Sequence, residues 1–196
     1  MGGEGDGAAI PLRDRSVWGI LRYWRWLAVL FAGLASQVAA SPAPALEVAV
    51  KAAYLAKFAP FVVWPDSAFG APNAPLVLCV QGDDPFDGML ERLTAGESVG
   101  PHAVIVRRMP RLDPDSHCQI AYLAGSPAQS PAAALKALEG QPVLTVTDAE
   151  TGGGKGIVTL VLVGGRVRFM IDAEKAGQSQ LGISSKLLAL AVEVKR

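Results

Sequence analysis

A chain of 196 residues with 18 basic and 18 acidic side chains carries no net charge and no basic run, which argues against nucleic acid as its partner. About 155 residues follow the N-terminal segment discussed next, enough for one domain with a sizeable core. In that part fourteen Lys/Arg stand against fifteen Asp/Glu, so it is close to neutral.

Residues 1–12 are glycine-rich. Arg13, Arg15, Arg22 and Arg25 then precede an apolar run from Trp26 to Leu34, and small residues follow, the pattern of a secretory signal. Val38-Ala39-Ala40 predicts cleavage after Ala40, with Ala43-Pro44-Ala45 a poorer second site. The alternative is an uncleaved anchor counted from Val17, but the arginines leave an uninterrupted core shorter than the ~20 apolar residues a bilayer requires. No cysteine follows the apolar core, so the pattern is not that of a lipoprotein. The reading is an exported, periplasmic chain with residues 1–40 as signal and extension and 46–196 as the folded domain.

Val50–Asp66 opens that domain with a predicted helix. Ala49, Ala52, Ala56, Ala59 and Val63 make a smooth small-residue face at the 3.6 period, while Tyr54, Phe58 and Phe61 form an aromatic stripe near Glu47 and Lys51. Pro60 predicts a kink or stop, after which Phe61–Trp64 runs to the Pro65-Asp66 turn. The stripe packs under a neighbouring segment of the same chain, or it is a dimer or partner surface with Tyr54, Phe58, Phe61 and Trp64 as contacts.

Leu76–Gln81 reads as a buried strand, and Asp84-Pro85 opens a helix with Phe86, Met89, Leu90 and Leu93 at helical spacing up to Gly96. His102–Met109 is the next strand. Arg107, Arg108 and Arg111, with Asp113 and Asp115 close behind, read as a solvated strand end with local pairing. Cys118–Ala124 is a strand, Ser130-Pro131 to Glu139 a helix stopped at Gly140, and Pro142–Thr147 a strand ending at Asp148. Ile157–Val163 and Arg166–Asp172 form a hairpin about Gly164-Gly165, and a last helix opens at Ser184 or Ser185 with Leu187, Leu188, Leu190, Ala191 and Val194 on its apolar face. The fold class is α/β: a single layered domain with a mixed β-sheet flanked by helices.

Two cysteines, Cys79 and Cys118, fall in the exported part. In an oxidising compartment an even pair is most simply a disulfide; two unpaired buried cysteines in adjacent strands and an intermolecular bridge are the alternatives.

No catalytic constellation emerges. Gly152–Gly156 lacks the glycine spacing and the hydroxyl of a phosphate loop and leads into a strand. A serine-nucleophile elbow is missing from the sequence. Adjacent His117 and Cys118 would face opposite sides of a strand, and His102 adds no convincing metal set. Asp83, Asp84 and Asp87 read as helix-capping residues. The expectation is a non-enzyme with no cofactor and no metal.

The motifs in their order resemble the YfiR-like periplasmic proteins. They are Lys51-Ala52-Ala53-Tyr54-Leu55 with Phe58, Phe61 and Trp64-Pro65; Cys79-Val80 leading to Asp84-Pro85-Phe86; His117-Cys118; Pro142–Val146; Gly165–Phe169; and Leu181–Leu188. The resemblance runs from about Val48 to Val194. It implies a dimeric periplasmic α/β protein that binds the periplasmic sensor domain of an inner-membrane diguanylate cyclase, represses cyclic-di-GMP synthesis, and is sequestered by an outer-membrane-associated lipoprotein. It also implies that Cys79 and Cys118 pair. The chain departs from the pattern in lacking a second cysteine pair near the glycine-rich turn, in Pro60 where a polar residue is commoner, and in Asp172 where asparagine is. A solute-binding input module for a sensor kinase or transport system, with a pocket at the strand ends, is the alternative.

Overall fold

The structure, a computed structural model of the chain, describes residues 43–196; the predicted signal segment and its cleavage after Ala40 lie outside the described residues. The first described helix, α1, spans Ala43–Phe58. Alanine, the best helix former, fills much of it. Pro60 cannot continue the ladder, so α-helix gives way to a single 3₁₀ turn over Ala59–Phe61, and Val62 turns extended at φ −120°. The break falls where the sequence places it.

A short strand β1, Val62–Val63, follows, and then β2, Leu76–Gly82. Next come α2 (Met89–Thr94), β3 (Ser98–Val99), β4 (His102–Met109), β5 (Ile120–Gly125) and α3 (Pro131–Ala137). The chain closes with β6 (Leu144–Asp148), β7 (Val158–Val163), β8 (Arg166–Asp172), α4 (Ala173–Gln178), β9 (Gly182–Ile183), α5 (Ser185–Leu190) and β10 (Glu193–Lys195). Eight strands form one mixed sheet in the order β10-β8-β7-β6-β5-β2-β4-β3, and β1 pairs with β9 apart from it. The central run β4-β2-β5-β6-β7 is parallel, while β8 returns antiparallel to β7 through the Gly164-Gly165 turn, both glycines at positive φ.

From β2 the chain first steps outward to β4, then crosses back to β5 and continues outward on the other side. Crossovers of one hand that leave in opposite directions must cover opposite faces. The core divides accordingly. Phe86 and Leu90 near α2 pack with α1 on Leu76, Leu78 and Val80 of β2, while Ala134 and Leu138 cover Val77 and Cys79 on the other face. At the reversal, β2 and β5 end so close together that a Cβ on Gly82 would lie 2.2 Å from the Gly125 carbonyl oxygen. Gly82 also sits at φ +85°, so only glycine fits there.

Three expectations are corrected, and one helix is new. The helix expected from Asp84-Pro85 starts at Met89, because Asp87 and Gly88 both adopt positive φ. Asp84 closes a turn ahead of it, its Oδ1 accepting from the Phe86 N–H at 2.8 Å. The strand expected from Cys118 begins at Ile120, and His117 is left-handed at φ 51°. The last helix stops at Leu190, after which Val192 donates to the Phe169 carbonyl at 3.0 Å and β10 lies parallel to β8. The edge of β8 offers Glu193–Lys195 a ladder that outcompetes another helical turn. A further helix, α4, has no counterpart in the sequence reading, although Asp172 caps it by accepting from the Lys175 N–H at 2.9 Å.

Candidate functional site

The aromatic stripe packs inward. Phe58 is 2% exposed and meets Phe169 of β8 edge-on with ring centroids 5.4 Å apart; Tyr54 meets the same ring at 5.3 Å. Each such pair adds about 0.5–1.5 kcal/mol beyond burial. Trp64 is also buried, and its Nε1–H donates to the Gln119 carbonyl at 3.1 Å. For Phe58 and Trp64 this corrects the surface expectation: a ring closed off by its own sheet has no face left for a partner. Tyr54 and Phe61 are half-buried, and the exposed apolar side chain of this region is Val63, 69% accessible on β1. Single-sequence periodicity shows a stripe but cannot show what covers it.

Cys79 and Cys118 form a disulfide with Cα atoms 5.9 Å apart. It ties β2 to the segment just ahead of β5, within the core face covered by α3. His117, beside it, is exposed. His102 stacks on Phe69 at 3.8 Å with its Nδ1 2.6 Å from the Ala74 carbonyl. Arg108 pairs with Asp84 at 2.6 Å and with both oxygens of Glu91, not with Asp113, which caps the 3₁₀ turn Pro114–Ser116. The Glu91 hydrogen bond outweighs burial and holds the Arg108 guanidinium above its ordinary range, and Glu91 in turn sits below the usual carboxylate range. The Asp83, Asp84 and Asp87 cluster is thereby dispersed: Asp84 is paired, while Asp83 and Asp87 are exposed.

The organising polar residue is one the sequence reading left without a role. Lys51 is buried on α1, and its ammonium contacts the carboxylates of Glu47, Asp148 and Glu150, the last at 3.1 Å. Burial disfavours its charge, but the hydrogen bonds it donates to Asp148, Glu47 and Glu150 prevail and raise the ammonium above its ordinary value. The Lys51 hydrogen bond likewise holds Glu47 below its ordinary value against the opposing effect of burial. Asp148 ends β6 and also caps the next turn, its Oδ1 accepting from the Glu150 N–H at 3.0 Å. Glu47 and Lys51 at i, i+4 were the available signal; Asp148 and Glu150 become their neighbours only once β6 is placed beneath α1.

Against this cluster opens a cleft of about 280 Å³. It lies at the carboxyl ends of β2, β5 and β6, where strand order reverses, the position at which open α/β sheets present ligand sites. Asp83, Pro85, Phe86, Tyr122 and Glu150 are among its walls. Tyr122 is 2% exposed and stands in the wall of the cleft. Burial, with the negative charge of Asp148 beside it, pushes that phenol up to about 12.

A disulfide-bonded single-domain α/β protein with a cleft at its topological switch point is the class these features define. The chain belongs to the YfiR/HmsC-like family, whose model matches residues 48–192. Comparison with curated individual proteins finds no match. Among the described residues no helix is long and apolar enough to cross a membrane.

Proposed function

We propose that the protein is a periplasmic regulatory binding protein that represses an inner-membrane diguanylate cyclase by binding its periplasmic sensor domain. The observation that carries this reading is the family match, which runs from the second turn of α1 to the threshold of β10 and so takes in nearly the whole folded domain. Two features support a binding rather than a catalytic role. The two cysteines are bonded to each other, and the buried lysine is engaged by three carboxylates. Repression then follows from tighter binding to the inactive state of the sensor than to its active state. The working form in this reading is a homodimer, and an outer-membrane lipoprotein that sequesters it relieves repression.

The contact surface in this reading is the outer side of the α1–β1 corner, with Val63 at its centre and Tyr54 and Phe61 at its margin. Capture from the periplasmic side with the wild-type protein is expected to recover a membrane-bound cyclase. Val63→Asp is expected to lose it while keeping the wild-type urea midpoint, since Val63 already faces solvent. Recovery of no signalling enzyme by the wild type, or undiminished capture by Val63→Asp, overturns the reading or the surface respectively.

A further inference from the structure

We propose that the tip of the β7–β8 hairpin docks on an anionic phospholipid surface, with Leu162 and Val163 entering the interface and Arg166 and Arg168 meeting the lipid phosphates. The inference goes beyond the regulatory reading and does not depend on which partner the protein binds.

The register makes the tip a two-stranded ribbon that outruns the sheet. β6 pairs with β7 only as far as Leu160, and β10 pairs with β8 only from Met170. Val161, Leu162 and Val163 therefore have Arg168, Val167 and Arg166 as their ladder partners and no third strand beside them. Past these pairs, a Cβ built on Gly164 or Gly165 would meet nothing within 4 Å, so the turn stands in open space.

The side chains at this end are apolar, where a hairpin end in water is usually polar. Leu162 is 40% exposed and Val163 51%. Neighbours along a strand point to opposite faces. A flat protein surface covers one of the two; a bilayer interface closes around whatever enters it and covers both.

Charge complementarity names the kind of surface. From Ile157 to Ile171 the chain has no acidic residue. Arg166 and Arg168 are exposed, and the ion pairs among the described residues engage Lys51, Lys57, Arg108 and Lys195, leaving both arginines free. The carboxylates of the adjoining elements do not cancel them. Glu47 on α1 and Glu150 after β6 are held by Lys51, and Glu193 is level with Met170, two residues along from Arg168. Cross-strand partners share a face, so Val161 and Val163 lie with Arg166 and Arg168 on one side of the ribbon. A guanidinium there pairs with phosphate while its aliphatic stem lies along the apolar surface. Each such charge is worth about fivefold in partitioning to an anionic membrane, so the contact is reversible rather than an anchor.

Sedimentation of the protein with vesicles of equal parts phosphatidylglycerol and phosphatidylcholine tests this, with phosphatidylcholine alone as the neutral control. Binding that weakens with added salt is expected on the anionic vesicles, and little on the neutral ones. Val163→Asp, and Arg166→Glu combined with Arg168→Glu, are each expected to weaken it about tenfold while keeping the wild-type urea midpoint, since all three side chains face solvent. The comparison is between variants of one chain, so any contribution of the N-terminal apolar segment cancels. Equal binding to anionic and neutral vesicles, binding to neither, or full binding by both variants overturns the proposal. So does self-association that Val163→Asp abolishes without any vesicle binding, which gives the ribbon to a second copy of the chain.

Discussion

Removing the ammonium of Lys51 would strand Asp148, whose side chain is only 5% exposed, as a buried carboxylate without its counter-ion. Breaking one partner out of such a pair costs about 3–5 kcal/mol, well above what a surface pair contributes. Lys51→Met is therefore expected to lower the unfolding free energy by roughly that amount in urea titrations, whereas Lys57→Met, which breaks the exposed pair with Glu97, is expected to change it by less than about 1 kcal/mol. Phe58→Ala tests the other half of α1. The ring fills the space between Tyr54 and Phe169, and its removal is expected to cost about 3–5 kcal/mol. A neutral result would return Phe58 to the surface. Both residues stand in the motif that carries the family resemblance, yet neither role was legible from it. Lys51 meets Glu150 across 99 residues of chain, and a stripe at helical spacing looks the same under a loop, a sheet or a partner.

Between elements, the disulfide is the strongest single constraint. It closes a span of 39 residues, for which the chain-entropy model gives about 4 kcal/mol, within the ~2–5 kcal/mol seen when native bridges are removed. Cys79→Ser with Cys118→Ser is expected to lower stability by that much. Both cysteines are buried, at 0% and 4% exposure, so thiol reductants are expected to act slowly on the native protein and rapidly in urea, measured by thiol release. Where sequence punctuation was sharp, elements were legible in detail: β4 and β8 have the bounds read from alternation and flanking glycines. Elsewhere the deciding fact was not local. The leucines after Ser184 fit a helix as far as Val194, but only the exposed edge of β8 shows why the chain leaves it at Leu190. The delayed start of α2 rests on a left-handed aspartate, Asp87, that composition does not announce.

Taken as a whole, the molecule is expected to respond to acid through its partly buried ion pairs. Glu47 is held below its ordinary value of 4.5, so its contribution is present above that value and is lost as pH falls through the depressed one. Lys51 is raised above 10.5, so its contribution is complete below that value and is lost only as pH climbs through the raised one. Stability is expected to be level from about pH 6 to 9 and to fall below about pH 4, with Glu47→Gln showing a smaller acid loss than the wild type in urea midpoints across that range. The α/β class and the mixed character of the sheet were legible because strands and helices alternate along the chain. Strand order was not, since it is set by which crossover covers which face.

The position of α1 also has a bearing on time. It leaves the ribosome early, yet its charged end rests on Asp148 and Glu150 and its aromatic end on Phe169. Until the chain has been made through β8, that helix has β2 and α2 to pack on but neither its counter-charges nor its aromatic partner, and helices of this length are marginal by themselves. An early segment is thus among the last to be fully covered. A nascent chain halted before residue 148 would expose the charged and aromatic parts of an amphipathic helix not yet covered, the kind of surface that chaperones hold.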